Sequence, residues 1–367
     1  MVMRVIFRVF IRLVAVLGIF IGLALALLTI TEYRPDDIEA LEIVNNSETV
    51  ISQGASLTLM TFNLGYAGLG ADEDFILDGG LKARPDSMED VEFYLEGILS
   101  LLEMHAADIY LLQEVDLRAR RSFNINQVET IHDALGTEFS SVFAYNFNAI
   151  FVPFPVSFTD YIGHVESGLQ TLSRHQMLES ERHQFSGSFS WPLRVANLKR
   201  AMIVSRFEVE GTDKELVVVN LHMSAYDADG SLRESEMAYL RAFMETEYAL
   251  GNYVIIGGDF NQTFPSVVDN DITRMRLSED DDAYYVAFPI EDDFLPSGFV
   301  YAIDETLPTC RLLNQPYRPG TEGTQYYIID GFMVSDNIRV DQVFTVDHGF
   351  VYSDHNPVML EITLLDE

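Results

Sequence analysis

Basic residues are scarce in this chain. Lys and Arg number 23 against 57 Asp and Glu in 367 residues, a formal net charge of −34. Such acidity excludes a protein that grips nucleic acid through a broad basic face, because phosphate contacts need Lys and Arg. It leaves phosphate chemistry open, since a bound divalent cation can supply positive charge locally. Cysteine is almost missing: Cys310 stands alone, which excludes an intramolecular disulfide framework and a Cys-rich zinc site. No tandem repeat is present and no Gly-rich dinucleotide turn follows a strand. Apolar residues are not in short supply. At 48% apolar and 12% aromatic, the chain can bury a large core, which excludes wholesale disorder. Its length permits one large domain or two ordinary ones.

The charge is distributed unevenly. Residues 1–30 carry Arg4, Arg8 and Arg12 and no acid, so the remainder holds 20 basic against 57 acidic residues. From Leu13 to Ile30 no charge interrupts the run, and a membrane-spanning helix needs about 20 apolar residues. Arginines on the N-terminal flank alone place the N-terminus in the cytoplasm and the rest outside. Residues 1–31 are therefore expected to be a single-pass anchor in the cell membrane, with an extracytoplasmic domain. Two alternatives are a signal peptide cleaved near Ala24-Leu25-Ala26, releasing a secreted protein, and a buried helix of a soluble protein.

Residues 32–55 are polar, with Pro35, Asp36, Asp37 and Asn45-Asn46-Ser47, and are expected to be a juxtamembrane linker to a domain over 56–367. In that domain, strand-like runs alternate with helical ones. Leu57–Phe62, Ile109–Leu112, Val195–Val204, Leu216–Leu221, Val254–Ile256, Ile328–Val334 and Val358–Thr363 are strand candidates. Ser87–Met104 aligns Met88, Val91, Leu95, Ile98, Leu99 and Leu102 on one helical face. Ser231–Leu250 does so with Leu232, Met237, Leu240, Phe243 and Met244. The alternation predicts an α/β sandwich, two sheets packed face to face under flanking helices. The acidic runs Glu279–Asp282 and Glu291–Asp293 are consecutive rather than alternating, which suits a solvated loop better than a calcium loop.

Polar residues stand at the ends of several apolar strands, where a rigid scaffold can position chemistry. They are Asn63 after LTLMTF, Glu114 after IYLLQ, Asn220 and His222 in VVVNLHM, Asp259 and Asn261 in VIIGGDFN, Asp330 in YYIIDGF, and Asp354-His355 in YSDHNP. Singly, each has a plain structural explanation: an Asn or Gly-Asp turn, a solvated acid, a cap, a hydrogen-bonded histidine. Their order and local contexts are the stronger signal.

Those motifs resemble the endonuclease/exonuclease/phosphatase superfamily, divalent-metal phosphoesterases that include type-I deoxyribonucleases, neutral sphingomyelinases and inositol-polyphosphate 5-phosphatases. Thr61–Asn63, Leu111–Val115, Ser167–Arg174, Asn220–His222, Gly257–Asn261 and Ser353–Pro357 carry the resemblance, from about Leu57 to the C-terminus. It implies a four-layer, deoxyribonuclease-I-like α/β sandwich in a membrane-anchored, bacterial-type member. It also implies a phosphodiester or phosphomonoester substrate and a Mg2+ ion, with Mn2+ as a substitute. By the same resemblance Glu114 ligates the metal, with Asn63 and Asp354 completing or bracing the site. His355 is the base for the attacking water and Asp330 sets its tautomer. Asp259 and Asn261 position water and phosphoryl group, and His222 donates toward the phosphate.

Asn220, Arg174 and Arg311 are candidate substrate contacts, and Lys199, Arg200, Trp191 and Pro192 weaker ones. Cys310 beside Arg311 is a candidate for a lowered thiol pKa. The substrate classes left open are a lipid head group, a small phosphorylated metabolite and nucleic acid. A secreted nuclease and a catalytically silent scaffold of the same fold are the competing functions.

Overall fold

The computed structural model describes residues 2–225, 227, 230–274, 287–320 and 323–366. It opens with helix α1 (Val2–Ile30), whose side chains are mostly exposed. In chain order there follow β1 (Ile38–Ala40), β2 (Ile51–Ser52), β3 (Ser56–Asn63), α2 (Met88–Met104), β4 (Ile109–Ala119), α3 (Gln127–Leu135), β5 (Ser140–Val152) and β6 (Gly163–Ser173). Next come β7 (Glu179–Gln184), β8 (Ala201–Glu210), β9 (Glu215–His222), α4 (Ser231–Ala249), β10 (Tyr253–Asp259), β11 (Gln262–Thr263), α5 (Asp271–Arg274) and β12 (Phe288–Pro289). The chain closes with β13 (Phe299–Ala302), β14 (Cys310–Arg311), β15 (Tyr326–Tyr327), β16 (Asp330–Ser335), β17 (Ile338–Thr345) and β18 (Val358–Leu364).

Two sheets carry the fold. One runs β17-β18-β3-β4-β6-β5, the other β1-β7-β8-β9-β10-β16-β13 with β2 beside β8. Both faces of their central strands are buried, and side-chain alternation assigns each residue to a face. Leu57, Leu59, Ile109 and Leu111 meet Val218, Ile255, Phe332 and Val334 between the sheets. The opposite faces are covered by helices: Met60, Phe62 and Leu112 pack with α2 residues Val91, Leu95 and Ile98, and Val217, Val219 and Val254 pack with α4 residues Leu240 and Met244. This is the expected layering of helices, two sheets and helices. Helix α2 starts where Ser87 accepts from the Asp90 amide while Asp90 answers the Ser87 amide, a reciprocal cap.

Two expectations change. Residues 32–55 are not a free linker: β1 pairs with β7, β2 with β8, and Val44 bridges to Ser141. These short strands occupy open backbone groups at sheet edges, which would otherwise need water or a partner. The strand expected from Val195 begins only at Ala201, because residues after Pro192 form a helical turn over Leu193–Ala196. Of the acidic runs, Glu291–Asp293 is exposed, and Glu279–Asp282 lies outside the described residues.

Candidate active site

The site is the polar end of the space between the sheets. On β9, β10 and β16 the pairing register sets Val218, Ile255 and Val334 in one row, Asn220, Gly257 and Phe332 in the next, and His222, Asp259 and Asp330 in the last. The facing sheet grades the same way, from Leu57 and Leu59 to Thr61 and Asn63 on β3, and from Ile109 and Leu111 to Gln113 on β4. Apolar residues at one end hold the sheets together, and polar ones at the other end line a cavity. Gly257 sits at the crossover: a Cβ there would approach Phe332 to 2.6 Å and Leu111 to 2.7 Å.

Glu114 enters by a break in the alternation. Leu112 and Val115 both face the helices, and the β4–β6 register slips between them. Glu114 adopts φ 53°, an uncommon left-handed conformation that accommodates the extra residue and re-aims its carboxylate. Asn261, with φ 51°, makes a second such turn after β10, where its amide donates to Asp259 Oδ1 at 2.8 Å. The Asn261 side chain donates to Met223 O at 2.8 Å.

The remaining groups converge. His355 Nδ1 lies 2.8 Å from Asp330 Oδ2, leaving Nε2 to face the cavity, 3.8 Å from Asp259 Oδ2 and 4.0 Å from Asp354 Oδ2. Asn63 Nδ2 donates to Asp259 Oδ2 at 2.9 Å and to Glu114 Oε1 at 3.4 Å. His222 Nε2 is 3.3 Å from Asp259 and 3.9 Å from Glu114. Ser353 ties the last loop to β3 by donating to Asn63 O at 2.9 Å.

Burial sets the electrostatics. It pushes Asp259 up to about 6, with the Asp330 charge acting in the same direction. It pushes Asp354 up to about 7, with Glu114 adding to the effect. His222 is driven well below the ordinary histidine value by burial and by the Arg200 charge, so it is neutral. Burial also opposes charge on His355, but Asp330, Cys310 and Asp354 together outweigh it and hold that ring well above the ordinary value. Crowded carboxylates raised in this way are short of positive charge. Their hard oxygens suit a Mg2+-type cation, while Asn63 turns its NH2 toward them and its Oδ1 accepts from the Gly65 amide at 3.0 Å. Tight acid and histidine groupings occur at Asp259, Asp330 and His355 and at Cys310, Asp354 and His355. His355 is already engaged by Asp330, and Glu114 and Asp354 line the same cavity, where they could hold an ion.

Not every sequence candidate reaches the site. Arg174 lies beyond the Ser173 end of β6, level with the start of β4, whereas Glu114 lies farther along that strand. It pairs with Glu138 at 3.6 Å and stacks over Phe139, away from the residues that border the cavity. Asn220 is fully buried between the sheets, where it accepts from Gln113 at 2.8 Å and donates to Gln170 O at 3.0 Å; it braces the scaffold. Arg311 does line the cavity, anchored on Gly70 O at 2.8 Å. Lys199 binds Glu32 at 3.0 Å, while Arg200 lines the cavity. Burial pushes the Cys310 thiol up to about 12, opposite to the expected lowering, so it is no nucleophile at neutral pH.

Two residues escaped the sequence reading. Tyr66 lines the cavity with a buried hydroxyl that has no hydrogen-bond partner among the described residues. Arg121 stacks 3.7 Å above its ring and grips Asp116 at 2.9 and 3.1 Å. Tyr66 sits in a stretch with no recognisable motif, and an Arg in RARR gives no sign of burial.

The sequence model described as Endonuclease/Exonuclease/phosphatase family matches residues 60–355. No match is found among curated protein sequences. Several solved structures share the fold. An endonuclease/exonuclease/phosphatase from Beutenbergia cavernae superposes with a TM-score of 0.56 at 15% identity, over 84% of this chain and 72% of that one. A family protein from Bacteroides thetaiotaomicron gives 0.52 at 17% identity, over 86% and 100% of the two chains. The human Nocturnin catalytic domain with bound sulfate gives 0.50 at 12% identity, over 88% and 96%.

Proposed function

Because the chain belongs to the endonuclease/exonuclease/phosphatase family, we propose that it hydrolyses phosphoester bonds with a divalent metal ion, Mg2+ or Mn2+, outside the cytoplasmic membrane. The observation that carries this reading is the His355–Asp330 pair at 2.8 Å, with the ring's second nitrogen turned to a cavity that also holds Glu114, Asp259 and Asp354. Glu114, Asn63 and Asp354 would hold the ion, which supplies Lewis-acid stabilisation of charge on the phosphoryl oxygens.

The chain's own groups do the rest. Asp330 fixes His355 with its proton on Nδ1, so Nε2 takes a proton from the attacking water. The water oxygen bonds to phosphorus, the ester P–O bond breaks, and the departing oxygen takes up a proton. Asn261 and the single N–H of neutral His222 offer hydrogen bonds to the phosphoryl group, and Asp259 orients Asn63. The carboxylates that hold His355 charged must be offset by positive charge before its ring can serve as base. The outside location is supported by Arg4, Arg8 and Arg12 on the N-terminal flank of α1, a helix long and apolar enough to cross a membrane or act as a signal sequence.

The test is hydrolysis of bis(p-nitrophenyl) phosphate by the purified full-length protein. Activity is expected with Mg2+, lost in EDTA and restored by added Mg2+. His355→Ala is expected to lower kcat by about 10²–10⁴. Activity indifferent to EDTA, or undiminished in His355→Ala, overturns the proposal.

A further inference from the structure

The cavity that holds the carboxylates and histidines has a second, apolar wall. Its volume is about 680 Å³, and Leu25 and Leu28 of α1, Phe154, Leu193, Val195 and Leu232 border the same space as Glu114, His222 and His355. One continuous volume therefore joins the phosphate-handling groups to the end of the membrane-length helix.

The position of that end follows from length. The charge-free run from Leu13 to Ile30 rises about 27 Å, against a bilayer core of about 30 Å. Its last turns must then lie at the membrane surface. There Leu28 is buried against the domain, and Trp191 Nε1 donates to Thr29 Oγ1 at 3.1 Å. At this contact the domain leaves apolar side chains in the open, Leu193 at 63% and Trp191 at 53%. Trp is the residue favoured at the head-group level of a bilayer, and grouped exposed apolar residues mark an interaction surface.

Resting on the phosphoesterase reading, we propose that the substrate is a membrane phospholipid. Its acyl portion enters along Leu25, Leu28, Phe154 and Val195 while its head-group phosphate reaches the carboxylate–histidine cluster. The formal charge of −34 disfavours a long polyanion at the same mouth, and a cavity of this size takes a head group with the first part of its chains.

The test uses full-length protein with Mg2+ and four substrates: phosphatidylcholine–phosphatidylglycerol vesicles, monomeric phosphatidylcholines of increasing chain length, bis(p-nitrophenyl) phosphate and plasmid DNA. Wild type is expected to consume vesicle lipid, with KM for the monomers falling by up to about fourfold per added methylene. Phe154→Asp and Leu193→Asp are expected to flatten that dependence. They should also lower the ratio of lipid to bis(p-nitrophenyl) phosphate turnover at least tenfold. Intact lipid alongside hydrolysed bis(p-nitrophenyl) phosphate overturns the lipid assignment and leaves the phosphoesterase reading standing. Failure on both substrates overturns the reading beneath it. A chain-length dependence unchanged in both variants, or plasmid DNA cleaved faster than lipid, overturns the proposal.

Discussion

Asp330 presses one carboxylate oxygen against His355 Nδ1 at 2.8 Å and leaves Oδ1 buried without a hydrogen-bond partner among the described residues. A buried, half-used carboxylate costs stability on its own account and is explained by the charge it imposes on the ring. His348 behaves in the opposite way. Its Nδ1 accepts from the Val351 amide at 3.2 Å, its Nε2 meets His355 O at 2.8 Å, and its ring stacks on Tyr352. Burial lowers its pKa to about 4. The unfolded chain therefore binds this proton more readily than the native one. The stability His348 contributes is complete above pH 6.5 and is lost as pH falls from there toward 4. Between pH 7 and 5 the loss is expected to be about 1–2 kcal/mol, allowing for the ring's partial exposure. Urea unfolding at both pH values checks this: His348→Gln should raise the stability at pH 5 relative to that at pH 7 by this amount, and no such rise removes His348 as a source.

At the scale of elements, the alternation along β3, β4, β9 and β10 does two tasks with one face. Its apolar rows bind sheet to sheet, and its polar rows, continuing the same face, form the site. Asn220 stands at the boundary, its amide spent on Gln113, Gln170 O and Leu112 O. Asn220→Leu keeps the volume but strands those partners, so a loss of about 2–3 kcal/mol in urea unfolding is expected. A near-neutral result would mean that water replaces the amide. Glu114 shows the converse economy: one residue in a left-handed conformation turns a helix-facing position into a cavity-facing one. The sequence points to Glu114 as the end of a strand, but the slip that aims it comes from pairing with β6, which a single strand's pattern does not contain.

For the whole molecule, α1 and the domain meet rather than hang from a tether. Glu32 is held by Lys199 at 3.0 Å and Arg194 at 3.4 Å, and β1 and β2 are paired into the second sheet. This arrangement predicts a retained anchor. The native protein should stay with membranes through alkaline carbonate washing, and mass spectrometry should find α1 at its N-terminus. A mature start near Leu27 would show instead that α1 is a removed signal.

The candidate site was legible from local patterns because each of its polar groups lies in or beside an apolar strand. Asn63, Glu114, His222, Asp259, Asp330 and His355 can be picked out one strand at a time, and the two-faced burial of those strands implies sheets under helices. Which groups meet was settled only by folding. Asn63 reaches Asp259 across 196 residues and approaches His355 across 292, and no local periodicity encodes such distances. The same long-range pairing carried Arg174 away from the site, brought Tyr66 and Arg311 to it, and drew residues 32–55 into the sheet edges. Local sequence sets the face a side chain takes, whereas register and sheet packing set what it faces.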